Sequence, residues 1–160
     1  MAHWSRPSCP FCQLTALQLS QLKDRFDRHR IRCYAVANQV DGLSAFVDRF
    51  WSFTDAVGMP SLLIDEKSAV FHALGAREVP ADAAEREGEA EVVALLRQAN
   101  PSYSVDLEGH DSLLGGLVLV DPERGVLLQV LEERVGRFLA GDGAELAQAI
   151  DECFAGGPTL

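Results

Sequence analysis

The sequence predicts a single α/β domain with a mainly parallel central sheet and helices on both faces. Three observations carry this. Short apolar, β-branched segments alternate with stretches of 3.6-residue apolar periodicity, the pattern of βαβ units. A Cys9-Pro10-Phe11-Cys12 pair stands at the first junction between a strand-like and a helix-like segment. Towards the C-terminus two apolar runs flank Asp121-Pro122-Glu123-Arg124-Gly125, which reads as an antiparallel hairpin on the edge of that sheet.

The bulk properties bound the rest. A chain of 160 residues supports one core, so residues 1–155 are taken as one domain and 156–160 as a tail. With 48% hydrophobic and 24% charged residues it has a globular composition. A net charge of −10 lacks the basic face that nucleic acid requires. No apolar run reaches the ~18 residues of a membrane span. Met1–Phe11 has no apolar core of a secretory signal and is interrupted by Pro7 and Pro10. The expectation is a cytoplasmic protein that binds neither nucleic acid nor membrane. In that compartment Cys9, Cys12, Cys33 and Cys153 do not read as a disulfide framework.

A poor strand is expected within Ala2–Arg6. From Cys9 or Pro10 to Arg30, Phe11, Leu14, Leu19, Leu22 and Phe26 form one apolar stripe, which predicts a single long helix. Ile31–Ala37 reads as a buried strand. Asp41-Gly42 opens a helix with Leu43, Phe46, Val47 and Phe50 on one face. Gly58-Met59-Pro60 breaks the chain before a strand at Ser61–Ile64. Asp65-Glu66-Lys67 turns into a short helix through Phe71 and Leu74, stopped at Gly75. Asp82–Asn100 reads as an acidic helix ended by Pro101, with Val92, Leu95, Leu96 and Ala99 as its apolar face. The hairpin pairs Leu117–Val120 with Val126–Leu131. A last helix over Gly143–Ala155 carries Leu146, Ala147, Ile150, Cys153 and Phe154 on one face. This order is the thioredoxin arrangement with a β-α insert before the C-terminal hairpin and helix.

Cys9 and Cys12 are the candidate catalytic residues. Spaced three apart at a helix start, they lie on one exposed end, within reach of each other. The thiolate is the reactive form, and a helix N-terminus favours negative charge, so a free-thiol pKa of about 8.5 can fall by several units there. Pro10 suits the first helical position, where no N–H is needed. Cys9 is read as the nucleophile and Cys12 as the resolving thiol. Arg6, three residues earlier, is either a cation favouring the thiolate or an exposed turn residue.

Several blocks resemble the AhpC/TSA-type peroxiredoxin-like 2 proteins, the group that includes the prostamide/prostaglandin F synthases. They are Arg6-Pro7-Ser8-Cys9-Pro10-Phe11-Cys12 with Leu19-Ser20-Gln21-Leu22, then Leu63-Ile64-Asp65-Glu66-Lys67 with Phe71-His72-Ala73-Leu74-Gly75. The third is Asp106-Leu107-Glu108-Gly109 with Leu114-Gly115-Gly116-Leu117-Val118-Leu119-Val120. The resemblance implies a thioredoxin-like fold and an antioxidant-type thiol activity on a peroxide, endoperoxide or disulfide, with Cys9 and Cys12 as the redox pair. The chain departs from ordinary peroxiredoxins in three places. Their Pro-x-x-x-Thr-x-x-Cys loop would need Pro and Thr where Ala2 and Arg6 stand. Their Arg before the strand at Leu117 is replaced by Gly115-Gly116. Only eight residues precede Cys9, so the first strand is expected to be short or truncated. The first two departures count against a fast peroxidase.

Other residues receive plainer readings. Cys33 and Cys153 are taken as small core hydrophobes, His72 and His110 as solvated surface histidines, and Asp82–Glu91 as a solvated helix face. Gly116, with Gly115 before it, is assigned to a loop beside the active site in preference to Pro60, because the block order puts the hairpin strand at Leu117 and leaves Pro60 in the inserted segment; a glycine there lets backbone approach a substrate closely. The leading expectation is a thiol oxidoreductase with no bound cofactor, restored by an external thioredoxin-like or glutathione-type reductant. Its substrate is a small peroxide or a protein disulfide, and related folds often form homodimers. The alternatives are a redox-inactive thioredoxin-fold interaction module and a CxxC zinc protein. Zinc would need two more ligands than the pair supplies.

Overall fold

In a computed structural model of the chain, the described residues are 2–4, 9–40, 42–75, 89–101, 103, 115–131 and 143–155. Arg6, His110, Asp82–Gly88, most of Ser102–Leu114 and the tail 156–160 lie outside them. The elements run β1 (Ala2–Trp4), α1 (Pro10–Gln21), α2 (Lys23–Arg28), β2 (Ala35–Ala37), α3 (Leu43–Phe50), β3 (Leu62–Ile64), α4 (Ala69–Ala73), α5 (Glu89–Ala99), β4 (Gly116–Asp121), β5 (Gly125–Leu131) and α6 (Ala144–Phe154). Among the described residues no helix is long and apolar enough to cross a membrane.

The five strands form one sheet in the order β3-β2-β1-β4-β5. Strands β1, β2 and β3 are parallel, with Trp4, Ala37 and Ile64 level at their C-terminal ends. Strand β4 runs antiparallel to β1 and pairs with β5 as the hairpin. The sheet is therefore mixed rather than mainly parallel.

Successive strand residues face opposite ways, and Ala35 and Val36 show both faces in use. Ala35 joins the main core with Phe11 and Leu19 of α1, Phe26 of α2, Phe46 and Phe50 of α3, Leu96 of α5 and Ile150 of α6. Val36 packs instead against Phe71 and Val70 of α4. Helices thus cover both faces.

The long first helix is two helices. At Leu22 the N–H bonds back three residues to Leu19, and α2 then restarts with Arg25 and Phe26 donating to the Leu22 carbonyl. The apolar stripe runs past the break because both pieces bury the same side, with Leu19 and Phe26 in one core. After α2, Arg30 adopts a left-handed conformation at φ 55° and lets Ile31 N–H reach the Phe26 carbonyl.

The strand expected over Ile31–Ala37 is only Ala35–Ala37. A ladder extends as far as its partner, and β1 pairs over three residues. The preceding segment is tied down differently: the buried Ser61 hydroxyl donates to the Cys33 carbonyl at 2.6 Å. At the hairpin tip, Asp121 Oδ1 accepts the N–H groups of Glu123 and Arg124, both at 2.8 Å. Gly125 supplies the positive φ of 79° that ends the turn.

Candidate functional site

The cysteines follow the central strand of the sheet in the chain. Strand β1 lies between β2 and β4, and α1 is the next element of the chain after it. Cys9 is the N-cap of α1, in extended conformation at φ −68° and ψ 125°, and Pro10 is the first helical residue. Pro10 is buried and pre-sets the helical φ. Cys12 lies one turn further on. Its neighbour Gln13 donates its backbone N–H to the Cys9 carbonyl at 3.0 Å and closes the turn that contains both sulfurs.

Helix α1 is seated by Phe11, Thr15, Ala16 and Leu19, all buried. Cys9 and Cys12 are half-buried thiols that touch the edge of this core. The first turn of α1 contains no acidic residue, so nothing there opposes the positive end of the helix dipole. An anion at Cys9 is favoured by that geometry.

The other candidates fall in different places. Gly116 is not in a loop: it is the first residue of β4, buried and paired with His3. A Cβ there would come within 3.0 Å of the Val130 carbonyl oxygen and of Leu131 Cδ2. Close approach to β5 is what calls for glycine at 116. Gly115, one residue earlier, is half-buried, and the register carries it to the level of Trp4, where β1 leaves for Cys9. Pro60 is exposed and bridges Thr54 ahead of β3, so it stands at the N-terminal end of that strand.

Cys33 also precedes its strand, β2, and is buried. Burial pushes its thiol up to about 12, which keeps it neutral and unreactive. Cys153 sits on α6 with its thiol 3.7 Å from the Leu127 carbonyl of β5. His72 is exposed on α4. Among the described residues no group of three or more His, Cys, Asp or Glu side chains is placed to hold a metal ion.

One residue beside the pair has no signal in the sequence. Tyr103 is buried, and its hydroxyl donates to Gln13 Oε1 at 2.7 Å. It follows Pro101 in a stretch without periodicity, where nothing announces a residue that returns to the first turn of α1.

No protein family, no curated protein and no solved structure matches the chain.

Proposed function

We propose that the protein is a thiol oxidoreductase of thioredoxin-like fold, with Cys9 as nucleophile and Cys12 as resolving thiol. One observation carries the reading: Cys9 caps α1, the helix that follows the C-terminal end of the central strand β1 in the chain, with Cys12 in the same turn. Open α/β sheets take their ligands at that end of their strands. The order β2-β1-β4-β5, with β1 parallel to β2 and antiparallel to β4, supports the thioredoxin-like arrangement, with β3 and α4 as its insert.

The chemistry balances without a bound cofactor. Cys9 thiolate attacks one oxygen of a peroxide, the O–O bond breaks, and water or an alcohol leaves. The sulfenic acid left on Cys9 is attacked by Cys12, and its oxygen departs as water; an endoperoxide, whose two oxygens stay on one molecule, leaves instead a sulfenate ester on Cys9, and Cys12 expels that oxygen as an alcohol. With a disulfide substrate, Cys9 forms a mixed disulfide that Cys12 resolves. Either route ends in a Cys9–Cys12 disulfide. An external thioredoxin-like or glutathione-type thiol returns the two electrons. The resemblance to peroxiredoxin-like 2 proteins favours a peroxide or endoperoxide as the acceptor.

The test is an NADPH-coupled assay with a thioredoxin system, run against a panel of peroxides and a panel of disulfides. Cys9→Ser abolishes turnover, and Cys12→Ser accumulates a covalent intermediate on Cys9. Full turnover in Cys9→Ser ends the proposal. A pair that stays reduced under mild oxidant, with no substrate turned over, replaces it with a redox-inactive interaction module.

A further inference from the structure

We propose that Tyr103 is a positioning residue for the dithiol: through Gln13 it holds the first turn of α1 in the shape that delivers Cys12 to Cys9. This rests on the redox reading above. Gln13 links Tyr103 to the turn. Its backbone N–H donates to the Cys9 carbonyl at 3.0 Å, the bond that closes the turn around both sulfurs. Its side-chain oxygen accepts the Tyr103 hydroxyl at 2.7 Å.

Tyr103 is itself anchored. Its backbone N–H donates to the Asn100 carbonyl at 2.9 Å, just past the end of α5. Its ring meets Phe50 of α3 edge-on, with centroids 6.2 Å apart and planes at 83°. Val92 and Leu96 of α5 share the core with Phe11 and Leu19 of α1. The hydroxyl therefore comes from a packed support, and a packed support is what lets one hydrogen bond restrain a helix end.

The consequence falls on one step. Attack by Cys9 on an outside molecule is bimolecular and needs only an accessible sulfur. Closure by Cys12 is intramolecular, and its rate and equilibrium follow how often the two sulfurs meet in the productive geometry. A loosened first turn lowers that effective concentration. The second step slows, and the Cys9–Cys12 disulfide becomes easier to reduce by the same factor.

The probe is a nitrobenzoate disulfide reagent, with Cys153→Ala as the parent so that α6 adds no signal. Cys9 thiolate attacks the reagent, its S–S bond breaks, and one coloured thiolate leaves. Cys12 thiolate then attacks the Cys9 sulfur and expels the second coloured thiolate as the protein disulfide forms. The first phase scales with reagent concentration and the second does not. Tyr103→Phe, which keeps the ring on Phe50, is expected to leave the first phase unchanged. The second phase should slow about fivefold, the worth of one neutral hydrogen bond. Gln13→Ala should slow it equally, and the double variant should slow it no further. Equal second phases in Tyr103→Phe and parent overturn this inference alone, as does a slowing shared by both phases. A parent with no second phase overturns it together with the redox reading.

Discussion

The Ser61 hydroxyl donates to the Cys33 carbonyl at 2.6 Å, and both residues are buried. This bond joins the segment before β2 to the segment before β3, and Ala35 N–H returns a second bond to the Ser61 carbonyl at 2.9 Å. Ser61→Ala removes the hydroxyl and leaves a buried carbonyl without that donor. Such a loss costs about 1–3 kcal/mol. Denaturant unfolding should show a lower midpoint at unchanged slope. A variant as stable as the parent would mean that the Cys33 carbonyl finds another donor.

Cys33 makes stability sensitive to alkali. Burial raises its thiol from the ordinary value of 9.0 to about 12. Between those values the unfolded chain has lost the proton and the folded chain still holds it. The unfolded state binds fewer protons there, so stability falls as pH rises. It is fully present below pH 9 and no longer changes with this group above about 12. Cys33→Ala, less stable at neutral pH, should close the gap to the parent across that window. Melting temperatures of the pair from pH 8 to the alkaline limit read it directly. On the folded parent near neutral pH, iodoacetamide should label Cys33 last of the four thiols.

What was legible in the sequence follows from which interactions are local. Cys9 at the cap and Pro10 at the first helical position are decided by adjacent residues, and both lie where the spacing predicts. The hairpin was readable because Asp121 and Gly125 carry its turn chemistry themselves. The break at Leu22 was not, because no glycine or proline marks it and the buried stripe continues across it. Gly116 misled because glycine serves loops and tight strand packing alike, and only the position of Leu131 separates the two. Tyr103 was invisible because its partner, Gln13, is far from it in sequence.

Arg30 carries backbone strain at the end of α2. A left-handed conformation at φ 55° costs a residue with a Cβ about 1–2 kcal/mol, and glycine escapes that cost. The Arg30 side chain is exposed. Arg30→Gly should therefore raise stability by about 1 kcal/mol, part of the relief being offset by the greater freedom of glycine when unfolded. Arg30→Val, which tolerates this region worse, should lower it. Thermal melts of the three proteins should rank Gly above Arg above Val.

Asp121 gives the hairpin a dependence on acid. Its carboxylate accepts the N–H groups of Arg124 and Glu123, and these hold its pKa below the ordinary 3.8, with the Arg124 guanidinium adding to the effect. A group whose folded pKa is lowered contributes stability that is fully present above the ordinary value and lost as pH falls through the folded one. Asn at this position keeps a side-chain oxygen for the two N–H groups but no charge. The parent should therefore melt above Asp121→Asn by a constant margin at neutral pH, and the margin should shrink as pH drops below 3.8. A margin that stays the same down to the lowest pH at which both variants fold would show that the charge contributes nothing to the turn.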